Sequence, residues 1–258
     1  MSEKLKERSQ VTPIALPSRG LPYEGKVPDG RVSISAITVA EEKMLANKGA
    51  TAEDKTNVLL HRTCDLGGVT PDDLVLGDRF FLLLKLRSLS IGNRYGFQVK
   101  CSECGTQFRH EMDLERDMEL KVLADDWREP FEVLLPVRGY TLDCRLLRGK
   151  DERAIAKQVS RQHQRLVGEP SNSSYSLLLA RHLVAITTPE GREEAREIPA
   201  LKLVESLVTR DRMALSNAID AASPGFDPEL EITCQGCGYV SSIAFPASDE
   251  FFRPRNTG

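Results

Sequence analysis

The sequence feature that most constrains the fold is a Cys-x-x-Cys-Gly motif that occurs twice, at residues 101–105 and 234–238. Each copy lies between two stretches of alternating apolar and polar residues, a pattern typical of β-strands. Between two strands the motif forms a knuckle, a tight turn whose thiols point to one side and whose glycine takes a positive φ. Two knuckles provide the four thiolates of one tetrahedral site. The sequence therefore predicts one Zn²⁺ per chain, bound by Cys101, Cys104, Cys234 and Cys237.

An internal repeat explains why the two knuckles lie so far apart in the chain. An Asp-Arg pair begins at Asp78 and again at Asp211, at the same distance before the first cysteine of each knuckle. Further upstream, a strand-like stretch at 32–36 matches another at 142–146. We predict an α+β fold with a tandem duplication, in the order strand, helices, long helix and zinc-knuckle hairpin, joined by the shared four-cysteine site.

The repeat also assigns the two cysteines outside the knuckles. Cys64 aligns with Leu183, and Cys144 aligns with Ile34. Both thiols therefore occupy apolar positions, where a free cysteine behaves as a small hydrophobic side chain. We expect neither to be reactive.

The repeat sets the expected domain boundaries. Residues 31–120 are predicted to form the first repeat, 121–136 a charged connector and 137–258 the second repeat, with both repeats in one compact unit. Thr70, followed by a proline, predicts the start of the first long helix, and the second is predicted to span 199–222.

Residues 1–30 are predicted to form an extended or disordered N-terminal arm, since their first ten residues are polar and lack periodicity. The arm also contains prolines, leucines and a tyrosine that suit an extended segment docked in an apolar groove. The predicted partner-binding residues of this arm are Leu16, Pro17, Arg19, Leu21 and Tyr23. On this interpretation, deletion of residues 1–24 leaves folding intact.

Asp78 and Asp211 both fall on apolar stripes of the predicted long helices. A buried carboxylate is costly unless it is paired. The predicted partners are Arg62 and Arg181, also at matching positions, or an arginine of a neighbouring turn. No Ser/His/Asp, His/Glu or glycine-rich phosphate motif accompanies these residues, so we expect structural ion pairs and no enzyme.

Three other interpretations of the cysteine motifs compete with a four-cysteine zinc site. Iron in a rubredoxin-like site uses the same four thiolates and competes with zinc. Thiol redox chemistry needs a pair at a helix N-terminus, whereas both pairs here lie between strands. His110 follows the first knuckle and could replace a thiolate, but its counterpart near Ile243 has no such capacity.

Composition narrows the class of partner. The chain has 258 residues, a formal net charge of −3 and 40% hydrophobic residues, as in ordinary globular proteins. A dedicated nucleic-acid binder normally has a basic field, so nucleic acid is an unlikely partner. No apolar run reaches membrane-spanning length, and the N-terminal residues lack a signal-peptide core. We therefore expect a reducing cytoplasm, where paired cysteines more often bind metal than form disulfides.

The chain resembles the baseplate hub assembly proteins of T-even-like contractile-tailed bacteriophages. The resemblance covers about residues 16–254 and rests on the order of four features: the Leu-Pro-Ser-Arg-Gly-x-x-Tyr stretch from Leu16, the Ile-Thr-x-x-Glu-Glu stretch from Ile37, the two knuckles, and the Phe-Phe-x-Pro stretch from Phe251. It implies a non-enzymatic structural component or assembly factor of the baseplate hub, with other baseplate, hub or tail proteins as partners. The implied location is the host cytoplasm during assembly and then the virion tail. A zinc-containing nucleic-acid-binding module is the alternative.

Overall fold

The computed structural model describes residues 11–47, 49–165, 173–246 and 251–252. Its first half contains a three-stranded antiparallel sheet, in the order β1-β2-β3, and three helices. The elements are β1 (Val11–Ala15), β2 (Arg31–Ser35), α1 (Val39–Leu45), α2 (Ala52–Thr63), β3 (Cys64–Asp65), α3 (Leu76–Ser90), β4 (Arg94–Lys100), β5 (Gln107–Asp113) and β6 (Leu120–Lys121). We call β1–β3 with α1–α3 the first body.

The second half contains a four-stranded sheet, in the order β10-β9-β8-β7, and four helices among the described residues. The elements are β7 (Phe131–Leu134), β8 (Thr141–Cys144), α4 (Gly149–Arg165), α5 (Ser173–His182), β9 (Leu183–Thr188), β10 (Gly191–Glu194), α6 (Ala200–Glu205), α7 (Thr209–Ala222), β11 (Gly225–Phe226), β12 (Glu229–Thr233) and β13 (Val240–Ala244). We call β7–β10 with α4–α7 the second body, and β4–β5 and β12–β13 the knuckle hairpins. The fold is thus mixed α and β, and no described helix has the length and apolar character of a membrane span.

Hydrophobic packing distributes the hairpins unequally between the two bodies. One core cluster contains residues of the first body together with residues of both hairpins, such as Leu82, Val99 and Ile232. The other cluster consists of second-body residues, including Leu142, Leu215 and Ile219. The second hairpin therefore packs on the core of the first body, although it follows the second body in sequence.

Helix starts follow the capping rules at Thr38 and Thr51, whereas the bounds of the two predicted long helices are wrong. Thr38 and Glu41 form a capping box at the start of α1. The prediction that the first long helix starts at Thr70 is wrong: Thr70 lies in a single turn, and α3 begins only at Leu76, after an extended stretch. The predicted helix over 199–222 is likewise two helices, α6 and α7. In the first case the extended stretch hydrogen-bonds with the second body, and this pairing outweighs the local capping signal.

The structure corrects the prediction of an N-terminal arm over the part of residues 1–30 that it describes. Val11–Ala15 pairs with β2 as an edge strand, and the side chains of Leu16, Pro17 and Tyr23 are buried in the first body. Arg19 and Leu21 lie at the surface, and Arg19 forms an ion pair with Asp125. The first ten residues lie outside the described part. Burial makes these apolar side chains part of the core rather than a surface for a partner.

One glycine makes this compact path possible. Gly20 has a φ of 76°, and a Cβ on it would lie 2.1 Å from the carbonyl oxygen of Val27. Only glycine fits so close an approach with this backbone conformation.

The predicted connector over residues 121–136 is not wholly a connector. Its segment Phe131–Leu134 pairs with β8 and is a strand of the second body.

Candidate metal centre

The two knuckles have the same backbone geometry. In the first, Cys101 N–H donates to the carbonyl of Thr106 at 2.9 Å and Gly105 N–H donates to the carbonyl of Cys101 at 3.1 Å. The second has the equivalent bonds from Cys234 at 2.8 Å and Gly238 at 3.0 Å. The glycines have φ values of 73° and 74°, the left-handed conformation that the motif predicts.

The fold brings all four cysteine sulfurs together, within 4.8 Å of one another. The first cysteine of each knuckle faces the second cysteine of the other: Cys101 Sγ lies 3.8 Å from Cys237 Sγ, and Cys104 Sγ lies 3.7 Å from Cys234 Sγ. This pairing has the form of a local two-fold axis. Four sulfurs at about 2.3 Å from a tetrahedral zinc lie about 3.8 Å apart. The spacing is therefore that of a four-thiolate site.

The cluster is closed on one side and open on the other. Cys101 and Cys234 are buried, whereas Cys104 and Cys237 are exposed. The knuckles touch directly at Gly236, where a Cβ would lie 2.7 Å from Thr106 Oγ1. Any side chain at Gly236 would therefore push the two pairs of thiols apart.

Hydrogen bonds and thiol contacts change the proton affinity of the cluster. The hydroxyl of Thr106, and then its backbone N–H, lower the pKa of the Cys104 thiol to about 6. Cys237 receives a bond from the Tyr239 backbone that lowers its pKa, but the neighbouring sulfurs, Cys104 first, raise it overall to about 12. Adjacent thiolates resist sharing negative charge, and a divalent cation relieves this repulsion.

The donor set fits a thiophilic metal. Within the described chain, the cluster of potential ligands consists of four cysteines and no carboxylate or imidazole. His110 instead lies on β5 with its ring 5.4 Å from that of Phe97. Cys64 and Cys144 are both buried, and burial raises the pKa of Cys144 to about 12. Four thiolates suit zinc or iron, and either would tie β4–β5 to β12–β13.

Asp78 is fully buried, but its partners are not arginines. It accepts hydrogen bonds from the backbone N–H of Ser18 at 3.0 Å, from the Ser18 hydroxyl, and from the Tyr23 hydroxyl at 2.5 Å. The same Tyr23 hydroxyl accepts the N–H of Val75 at 3.1 Å, at the N-cap of α3. The carboxylate thus ties the segment after β1 to the first turn of α3.

Asp211 is also fully buried and binds the equivalent turn of the second body. It accepts the backbone N–H of Val137 at 2.7 Å and that of Arg138 at 3.3 Å, between β7 and β8. The predicted arginines lie elsewhere, since Arg62 faces Glu41 at 3.7 Å and the charge of Arg181 acts on Asp151. The predicted Asp–Arg pairs were therefore wrong: neutral donors of the turns satisfy both carboxylates.

Sequence reasoning missed the contacts between the two bodies. Arg79 is 3% exposed; it donates to Asn57 at 2.8 Å and lies 3.4 Å from Glu152 in the second body. Arg148, just before α4, donates to the carbonyl of Pro22 in the first half of the chain at 3.4 Å. The one available signal was the Asp-Arg pair itself, which marks Arg79 in the first copy and Arg212 in the second.

Comparison with known proteins gives one match. No curated protein and no solved structure matches the chain. The family model described as T4 bacteriophage base plate protein matches residues 19–253, nearly the whole chain. The matched region includes both knuckles, both buried aspartates, the second body and the first body without β1. The chain therefore belongs to the T4 bacteriophage base plate protein family.

Proposed function

We propose that this protein is a non-enzymatic structural component or assembly factor of the hub region of a contractile phage baseplate, stabilised by one structural Zn²⁺. Family membership supports the baseplate role. The observation that carries the zinc proposal is the four-sulfur cluster, which two distant hairpins form with spacings of 3.7 and 3.8 Å. Zinc is preferred to iron because nothing in the chain points to electron-transfer partners.

The proposal includes a duplicated architecture, and the sheet register supports it. Sequence alignment of the copies equates Ile34 with Cys144 and Cys64 with Leu183. In the first body Ile34 pairs with Cys64 across β2 and β3. In the second, Cys144 pairs with Leu183 across β8 and β9. Residues that are equivalent in sequence therefore make equivalent pairs in the two sheets.

The buried aspartates support the same proposal. Asp78 is the third residue of α3 and Asp211 is the third residue of α7. Each accepts backbone N–H bonds from the connection between the first two strands of its own body. Zinc then joins two related units through equivalent hairpins, which makes the chain a pseudo-dimer with two similar but distinct faces for neighbouring subunits.

Elemental analysis of the purified, full-length protein tests the metal. We expect about one zinc per chain, and substitution of Gly236 by valine should lower that content, because a side chain there would meet Thr106. Iron in place of zinc would correct the identity of the metal. A folded protein without metal, or with two metals per chain, would overturn the single-site proposal.

Co-purification from infected cells tests the role. Tagged protein should capture other baseplate, hub or tail proteins in the host cytoplasm during assembly, and antibodies should detect it in purified tails if it stays in the virion. The alternative, a zinc-containing nucleic-acid-binding module, predicts instead that the protein retards nucleic acid with a steep salt dependence. Glu103, Glu229 and Glu231, close to the knuckles in sequence, count against that alternative.

A further inference from the structure

The two bodies are joined by a short antiparallel bridge, which we call the junction. Leu76 N–H donates to the carbonyl of Leu147 at 2.9 Å, and Gly149 N–H donates to the carbonyl of Leu74 at 3.0 Å. Val75, at the centre of the junction opposite Arg148, is 1% exposed. The first body thus uses the segment before its long helix, and the second body uses the segment after its β8 strand.

Two ion pairs between the bodies accompany the junction, and Asn57 links them, because it accepts from Arg79 and donates to Asp72. Arg79 of the first body lies 3.4 Å from Glu152 of the second. Arg153 of the second body lies 3.1 Å from Asp72 of the first. The junction is therefore a backbone bridge accompanied by a network of two complementary charge pairs.

The alignment of the two repeats gives each residue of the junction an equivalent in the other body. These equivalent residues form two surfaces that do not contact each other. The equivalent of Val75 is Val208, and the equivalent of Arg148 is Thr38. A two-fold relation between the bodies would pair Val208 with Thr38 as well. Instead Val208 is 47% exposed and the neighbouring Val39 is 63% exposed. The bodies therefore contact each other head to tail, a heterologous contact that leaves one unused surface at each end.

The unused surfaces have the backbone groups that the junction uses. The equivalent donors are Val39 N–H and Thr209 N–H, and the equivalent acceptors are the carbonyls of Leu207 and Ile37. Within the described part of the chain, none of these four groups has a recorded hydrogen-bond partner. Each end thus offers one donor and one acceptor in complementary order.

The flanking charges are complementary in the same way. The counterparts of Arg79 and Glu152 are Arg212 and Glu42, and those of Arg153 and Asp72 are Lys43 and Glu205. Each pair keeps its opposite signs although the residue types differ. Glu42, Lys43 and Glu205 are exposed. Within the described part of one molecule these partners do not pair with one another, so their complementarity is available for a contact between molecules.

From these matches, and on the duplicated architecture proposed above, we propose that copies of this chain associate head to tail. The Val208 end of one molecule binds the Val39 end of the next through a second junction that repeats the internal one. Each contact leaves new free ends, so the products are closed rings or open chains, depending on whether the rotation closes.

The repeated junction differs from the internal one at one position. Gly149 leaves no room for a side chain, because a Cβ there would lie 2.6 Å from Arg79 Nη1. The equivalent residue is Val39, so Arg212 must adopt a different rotamer from Arg79. Arg212 is only half-buried and stacks on the ring of Tyr175 at 5.7 Å. Val39→Gly should therefore strengthen the association between molecules. If the molecules associated only through an apolar patch at Val39, the loss of this side chain would weaken the association instead.

Two proline substitutions test the junction without disturbing the fold. Val39 and Thr209 are the first residues of α1 and α7, a position that tolerates proline, and the residues before them are extended. Val39→Pro and Thr209→Pro each remove one junction N–H. Ala52→Pro, at the first position of α2 but away from both ends, is the matched control. Analytical ultracentrifugation of the full-length, metal-loaded protein over a range of concentrations is the measurement.

We expect the average mass of the wild type and of Ala52→Pro to rise with concentration, and each junction variant to remain a single chain. An equimolar mixture of Val39→Pro and Thr209→Pro should form dimers and stop there, because one intact end remains on each partner. A wild type that stays monomeric overturns the proposal. So do junction variants that associate like the wild type, and a mixture that remains monomeric.

The outcomes separate this proposal from the proposed function. A monomeric protein that still contains zinc and captures tail proteins refutes head-to-tail association alone. A protein that associates through these ends but has no metal, or captures no tail component, refutes the proposed function and leaves the association standing.

Discussion

The two bodies each contain a buried aspartate at an equivalent position, but they satisfy its hydrogen bonds with different donors. In both, an aspartate in the first turn of a helix accepts hydrogen bonds from the connection between the first two strands. In the first body that connection runs from β1 to β2 through residues 16–30, and Asp78 binds it through the Ser18 and Tyr23 side chains as well as one N–H. In the second body the connection is short, and Asp211 needs only the N–H groups of Val137 and Arg138.

The comparison shows how connection length changes the chemistry of an equivalent position. A long connection folds over the helix start and excludes water, so the carboxylate must be satisfied by buried side-chain donors. A short turn stays near the surface, where Val137 is 54% exposed. The same residue is therefore more critical in the first body, which also supports both knuckle hairpins.

The strongest way to break the comparison is to remove the long connection. Deleting residues 1–24 removes β1, Leu16 and Tyr23 from the core, a loss that exceeds the usual stability of about 5–15 kcal/mol. We expect no cooperatively folded protein by circular dichroism and thermal denaturation. Deleting residues 1–10 leaves β1 complete and is the control. A stable 1–24 deletion would show that the segment is dispensable, as an arm would be.

If the proposed zinc is bound, its removal should destabilise the first body, because the site joins the two hairpins that pack on the core of that body. Cys234→Ser removes one ligand, and loss of the metal should lower the free energy of unfolding by on the order of 10 kcal/mol. Cys64→Ala, at a buried thiol outside the site, should keep the metal. Zinc content and thermal unfolding are the measurements. Unchanged metal content in Cys234→Ser would contradict the site.

The two aspartates should differ in their mutational cost. Asp78→Ala leaves three buried donor groups without a partner and should cost about 3–5 kcal/mol, at roughly 1–3 kcal/mol per group with partial relaxation. Asp211→Ala leaves two N–H groups of a turn that water can reach, and should cost about 2 kcal/mol. Urea denaturation of both variants measures the difference, and the reverse order would contradict the comparison.

Asp78 should also give the first body a characteristic pH dependence. Burial raises the pKa of Asp78 to about 6, although hydrogen bonds from Ser18 and Tyr23 act to lower it. An unfolded aspartate titrates near pH 4, so its stabilising contribution is fully present below about pH 4 and is lost as the pH rises through about 6. The shift corresponds to at most about 3 kcal/mol.

The measurement is the difference in free energy of unfolding between the wild type and Asp78→Asn. The wild type should lose stability relative to the variant between pH 4 and 7. The contribution of His182, whose pKa burial lowers to about 4, is common to both proteins and cancels. A difference that does not change with pH would mean that Asp78 keeps an ordinary pKa.

The smallest expected effect is that of one hydroxyl. Tyr23→Phe removes the group that donates to Asp78 and accepts the N–H of Val75, and should cost about 1–2 kcal/mol. Tyr239→Phe, at a side chain that is 45% exposed, should cost almost nothing. Equal stability of the two variants in urea would show that the Tyr23 hydroxyl is not needed to tie the long connection to α3.

Local chemistry made the four-cysteine cluster predictable. Cysteine spacing and the positive φ of Gly105 and Gly238 determine the knuckle turn, and two such turns need each other to complete four ligands. The capping box of Thr38 and Glu41 was predictable for the same reason, since both residues act within one turn of chain.

Only the tertiary structure decided what surrounds the buried charges. The sequence determined that Asp78 and Asp211 lie on the apolar stripes of helices, where a buried carboxylate requires hydrogen-bond donors. Which donors reach them depends on the path of connections far away in sequence, and turn donors rather than arginines are within reach. Likewise, the extended stretch before α3 is set by a bridge to Leu147, not by Thr70. The cost of desolvation requires that a buried carboxylate has a hydrogen-bond donor, and the tertiary structure determines which donor lies within reach.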